Sequence, residues 1–204
     1  MEPIRYDAGP HLVMLGSSQA ESAERDDREL VPAIARGDRA ALVALYERHA
    51  GAVLSHLVLL TGDHGFSEEI LQDTMLAVWR GAGRFRGESS VRSWIIAIAR
   101  RQCRDRQRRR RPGLVAQEVL ADRPATEPGP EERALDRMSA EAVMDRIKDL
   151  APHHREVLGL VFGSGLSLAE TAEVLEIPVG TVKSRLSAAR AALIRSMPER
   201  GRTS

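Results

Sequence analysis

Two clusters of side chains in this 204-residue chain have the types and spacing to recognise a polyanion. Between Arg100 and Arg111 stand eight arginines and one aspartate, a local charge of +7. Like charges at i, i+4 on a helix repel one another. Phosphates relieve that repulsion and release counterions on binding. A solvated helix end, the bland alternative, accounts poorly for so dense a run. The second cluster is Gly180-Thr181-Val182-Lys183-Ser184-Arg185, with Arg190 beyond it. Hydroxyls and cations on the first turns of a helix meet base edges and phosphates. An αα-hairpin of an ordinary helical protein is the alternative here. Turn, helix start and groove chemistry within six residues favour DNA. No comparable set points to catalysis. Cys103 lies in the arginine run with no matched histidine, a weak case for a nucleophile or a zinc ligand. His153 and His154 are adjacent, point apart on a helix and cannot chelate together. No glycine-rich phosphate loop is present. No catalytic residue, metal or cofactor is expected.

The elements that position these clusters are helices. Ser167 and Glu170 form a capping box, and Ala172 is small where two helices must cross. Leu175, Ile177 and Val182 supply apolar contacts, Pro178 opens the second helix and Gly180 permits close approach. Two short helices, Ser167–Glu176 and about Pro178–Ser196, make a helix-turn-helix that presents its second helix to the major groove. Before them, Ala134–Leu150 is amphipathic and Pro152–Val161 starts on a helix-favouring proline. In the first half a helical pattern begins at about Glu29. Leu42, Leu45, His49, Val53, Leu57 and Leu60 form one face of a long helix. After a break at Thr61–Gly65, Ser67 is expected to cap a helix carrying Ile70, Leu71, Thr74, Met75, Val78 and Trp79. A loop over Gly81–Glu88 leads to a helix from Ser89 or Ser90 into the arginine run. Trp79 and Trp94 have apolar neighbours and are expected in the core.

Composition agrees. Hydrophobic residues make up 43% of the chain and aromatics only 3%, which favours helices over strands. The net charge of +1 conceals segregation: acids over Glu21–Glu29 and Glu118–Asp136 offset the arginine run. That pattern builds a local positive field on a soluble chain. With no membrane-length apolar stretch, no signal peptide and a single cysteine, the chain is expected in the cytoplasm, without membrane insertion. The expected fold is all-α, two small helical domains over 28–111 and 133–199. A flexible Pro/Gly/acid linker over 112–132 joins them, after a disordered tail over 1–27.

At this point a family resemblance carries further. Gly165-Leu166-Ser167 through Leu175, then Ile177 to Leu186, resembles the C-terminal DNA-binding domain of bacterial sigma factors, and Leu150 to Leu158 extends the match. Independently, Glu69 to Trp79 resembles the sigma domain-2 helix that docks on core RNA polymerase. Phe85-Arg86-Gly87 to Ile95, with Ile98 to Asp105, resembles its promoter-melting segment. Two motif sets in family order, with domains 2 and 4 alone, are the pattern of the extracytoplasmic-function class. The resemblance implies an initiation factor that directs core RNA polymerase to promoter DNA under the control of an anti-sigma factor responding to stress or an envelope signal. It implies that Glu69, Gln72, Asp73 and Leu76 bind the polymerase clamp. Phe85, Arg86, Ser89 and Ser90 would hold a flipped base of the −10 element, and Arg100, Arg101, Arg104 and Arg108 would follow its backbone. Thr181, Lys183, Ser184, Arg185 and Arg190 would contact the −35 element. Two positions depart from the family: Arg101 stands where asparagine is usual, and Glu176 where the turn usually has glycine, so a slightly reshaped turn is expected. The rival readings are a free-standing dimeric helix-turn-helix regulator, against which stands the lack of a dimerisation heptad, and a sigma-like decoy, which would need a degraded DNA helix.

Overall fold

A computed structural model describes residues 17–110 and 146–196, and every element among them is helical. The expected linker, residues 1–16 of the expected tail and most of the helix expected from Ala134 lie outside the described residues. The first half is a four-helix unit of α1 (Ser17–Ala35), α2 (Arg39–Thr61), α3 (His64–Gly81) and α4 (Val91–Arg110). The second contains α5 (Pro152–Leu158), a π-type turn over Gly159–Gly163, α6 (Leu168–Leu175) and α7 (Val179–Arg195).

Local chemistry sets the boundaries. Asp38 caps α2, accepting from the backbone N–H of Ala40 at 2.8 Å and of Ala41 at 3.2 Å, and Gly62 closes the helix at φ 69°. That left-handed closing position suits glycine. The cap of α3 is Asp63, accepting from the Phe66 N–H at 3.0 Å, not Ser67. Ser67 lies one turn inside, buried, donating to the Asp63 carbonyl at 2.7 Å. An aspartate four residues earlier satisfies the free N–H groups, so the serine is released to bridge toward the Thr61 hydroxyl at 2.8 Å. The capping box of Ser167 and Glu170 opens α6 as expected.

α1 begins at Ser17, well before the start expected at Glu29. Its polar residues gain partners that only tertiary contact supplies. Asp27 is buried, 2.7 Å from His49 Nε2 and 2.9 Å from Arg48 Nη1. Burial alone would raise its carboxyl pKa, but the bonds to His49 and Arg48 hold it below the usual value.

Val31, Ile34, Leu45, Val53, Leu57, Ile70, Val78, Val91, Ile95 and Ile96 form the core of the first half, and Val157, Leu160, Leu175, Val182 and Ala189 that of the second. The two cores belong to one continuous apolar cluster. α2 meets α5 and the π-type turn, and α4 meets α6.

Candidate polymerase-docking and nucleic-acid surfaces

On α3, Glu69, Gln72 and Leu76 are exposed and Asp73 is half-buried, all on one face. Leu76 leaves 51% of its surface in solvent, between charged neighbours on that face. With Asp73 it borders an open groove of about 410 Å³, also lined by Ala77, Arg80, Arg84 and Gln102. The acids are partnered from the end of α4: Arg106 donates to Asp73 from Nε at 2.8 Å and to Glu69 from Nη1 at 2.7 Å. Arg110 stacks 3.7 Å above the Phe66 ring. Neither arginine stood out within the run. The signal that singles them out is tertiary, the packing of α4 on α3.

The arginine helix divides into faces. Arg101, Arg104 and Arg108 are exposed and share one side. Arg100 lies at the edge of that side, one turn before Arg104, and reaches toward the second half. Its side chain is only 13% exposed, and it donates to Glu156 of α5 at 2.5 Å and to the Val174 carbonyl of α6 at 3.5 Å. Cys103 is buried beneath the helix, where desolvation pushes its thiol up to about 11, protonated at neutral pH.

Between α3 and α4 the loop carries Phe85, half-buried, with its ring 4.9 Å from that of Trp94. Trp79 and Trp94 are both partly buried against the core. Arg86 is almost fully in solvent, with Glu88 at 4.0 Å. Ser89 and Ser90 are half-buried. The Ser90 hydroxyl donates to Glu170 across the two halves of the molecule. Burial would raise the Glu170 carboxyl, but bonds from Ser90 and Ser167 and the nearby Arg92 charge hold it below the usual value.

In the helix-turn-helix, Val182, Leu186, Ala189 and Leu193 anchor α7. Lys183 projects into solvent, with Thr181, Ser184 and Arg185 half-buried beside it. Ser184 donates its hydroxyl to the Thr181 carbonyl at 3.0 Å. Arg190 lies 5.3 Å from the Phe162 ring centroid, toward the π-type turn. Glu176 holds the turn at φ 58°, ψ 41°, the left-handed conformation glycine usually supplies; the turn is kept, not reshaped.

A helix-turn-helix behind a helical unit with an arginine face and a half-acidic helix has the outline of a DNA-binding protein. The family models for Sigma-70 region 2 and Sigma-70 region 4 match residues 45–112 and 140–193. The ECF RNA polymerase sigma factor SigM of Mycobacterium tuberculosis is 37% identical over 178 residues, covering 84% of this chain and 85% of that protein. SigL of the same organism is 32% identical over 177 residues, covering 85% of this chain and 98% of that protein. The solved structure of CnrH in complex with the cytosolic domain of CnrY superposes with a TM-score of 0.62 at 26% identity, covering 83% of this chain and 96% of that one. The chain belongs to the ECF family of RNA polymerase sigma factors. Members are non-catalytic initiation factors that bring core RNA polymerase to promoter DNA. No helix of the described residues is long and apolar enough to cross a membrane.

Proposed function

We propose that the chain works in the cytoplasm as a promoter-specificity subunit with three separate working surfaces. The α3 face of Glu69, Gln72, Asp73 and Leu76 docks on the clamp helices of core polymerase. The loop from Phe85 to Ser90 receives an unpaired −10 base, while Arg101, Arg104 and Arg108 follow the phosphates. Thr181, Lys183, Ser184, Arg185 and Arg190 contact the −35 element from α7. Extracting a base costs a few kcal/mol, repaid by stacking and hydrogen bonds in a pocket. The observation that carries this reading is the division of surface on the first unit. An apolar residue flanked by acids faces one way on α3, and an unbroken arginine stripe on α4 lies clear of the core. Acids beside an exposed leucine repel DNA and suit a basic protein partner. The −10 role we assign to Arg100 requires the two halves to separate, because Glu156 holds its guanidinium in the arrangement seen here. A protein partner that holds the two halves together would keep the factor idle. CnrH was solved in complex with the cytosolic domain of CnrY, and for this chain we assign the holding role to an anti-sigma factor responding to stress or an envelope signal.

Footprinting with and without core polymerase tests this. The chain alone is expected to protect promoter DNA weakly, and the holoenzyme to protect both elements and open the start region. Asp73→Arg should abolish the holoenzyme footprint while leaving helix content intact, arginine being a good helix former. Strong protection by the lone protein, unchanged by Asp73→Arg, would instead identify a self-sufficient DNA-binding regulator.

A further inference from the structure

The loop from Phe85 to Ser90 has little regular structure of its own to hold it. Two of its carbonyls turn toward α1. Arg28 donates from Nη1 to the Gly87 carbonyl at 3.1 Å and from Nη2 to the Ser89 carbonyl at 3.2 Å. Its Nε donates to Glu24 Oε1 at 3.0 Å, and the same oxygen accepts the Val91 N–H at 3.0 Å. Val91 is the first residue of α4, whose opening N–H groups have no partner within the helix. One carboxylate and one guanidinium, a single turn apart on α1, therefore hold the loop and the start of the arginine-bearing helix together.

The fit is close. Gly87 has φ +72°, and a Cβ there would lie 3.2 Å from Arg28 Nη1. α1 is itself fixed in register by the buried Asp27 with His49 and Arg48. Arg28, Val31, Ala35, Ala82, Gly83 and Phe85 border a groove of about 390 Å³ between α1 and the loop. That size lies within the roughly 300–1,000 Å³ typical of small-ligand sites. A lone exposed ion pair is worth little. A planar guanidinium bonded to two carbonyls instead fixes geometry, which an ammonium cannot copy.

We propose that Arg28, held by Glu24, is a positioning residue for promoter opening: it pre-forms the loop so that an unpaired nucleobase enters the groove without first ordering the backbone. The base contacts belong to the loop, and Arg28 acts through it. The inference rests on the base-capture reading above.

The test uses holoenzyme and a fork-junction DNA whose unpaired strand carries the −10 element, with abasic substitutions scanned along that strand. In the wild type one abasic position should weaken binding markedly. Arg28→Ala should weaken binding to the unmodified strand about tenfold, as expected for losing a charge-assisted fork, and lose nothing further on the abasic strand. Arg28→Lys should stay defective despite keeping its charge, and Glu24→Gln should show the same pattern in weaker form. Core-polymerase affinity and thermal melting should match the wild type. If Arg28→Ala adds its full loss at every abasic position, or Arg28→Lys restores binding, positioning is overturned and Arg28 is a simple phosphate contact. If Glu24→Gln folds and binds as wild type, the Glu24 brace is overturned. If no abasic position matters in the wild type, the base-capture reading itself falls, and this inference with it.

Discussion

Glu176 occupies a backbone conformation that disfavours side chains with a Cβ, at the point where α6 turns into α7. The left-handed region costs a non-glycine residue roughly 1 kcal/mol. The turn tolerates that cost because its shape places Val182 and Leu175 in the core. Glu176→Gly should therefore stabilise the protein by up to about 1 kcal/mol, offset in part by the greater freedom of glycine in the unfolded chain. Glu176→Val should destabilise it, because a β-branched residue fits this region worst. Thermal melts of the two variants should move in opposite directions. The same scale separates Arg100 from its neighbours. One residue along the helix changes an exposed cation, Arg101, into a largely buried partner of Glu156.

At the scale of an element, α4 serves three neighbours at once. Val91, Ile95, Ile96, Ala99 and Cys103 face the core, Arg101, Arg104 and Arg108 face solvent, and Arg106 reaches the α3 acids. The Arg106 pair is partly exposed, so its contribution to folding is under about 1 kcal/mol. Its position matters more, since it occupies Glu69 and Asp73, the groups we assign to polymerase docking. Arg106→Ala should lower stability only slightly and raise affinity for core polymerase by freeing both acids. A fluorescence titration of labelled protein with core enzyme checks this; unchanged or weaker affinity would mean that Arg106 orients the acids and does not compete for them.

For the whole molecule, the question is how the two halves part. Element centres about 25 base pairs apart span on the order of 80 Å at 3.4 Å per pair, far more than two packed bundles reach. Opening must break Arg100 with Glu156, Ser90 with Glu170, and the contact of Arg92 with the Ser164 carbonyl at 3.4 Å. His56 is buried near that seam, with neither ring nitrogen partnered among the described residues, and burial depresses its pKa to about 4. Between pH 6.5 and about 4 the unfolded or opened chain takes up a proton that the closed form does not. Stability is thus full above pH 6.5 and declines by roughly 3 kcal/mol as pH falls toward 4. His56→Leu should flatten that decline in denaturation curves. At neutral pH, Gly159→Ala should loosen the seam, because its Cβ would lie 3.1 Å from Leu59 Cδ1 and 3.3 Å from His56 Nδ1. Small-angle scattering should show a larger radius of gyration for Gly159→Ala with its helix content retained.

Much of this protein is legible in the sequence because helices are local. Periodic apolar residues, the Ser167–Glu170 capping box, the proline and glycine at the helix-turn-helix and the density of arginine depend on neighbours a few positions apart, so the all-α class and the helices of both halves could be read directly. The start of α1 could not, since a polar segment forms a helix here by giving Asp27 to His49 and Arg28 to the loop, partners far along the chain. The capping of α3 turned on which of two nearby capping residues the packing left free. The choice among adjacent arginines also belonged to tertiary structure: a charge run is uniform in sequence, and only the packing of α4 against α3, α5 and α6 decides which guanidinium faces solvent, which meets Asp73 and which is buried against Glu156.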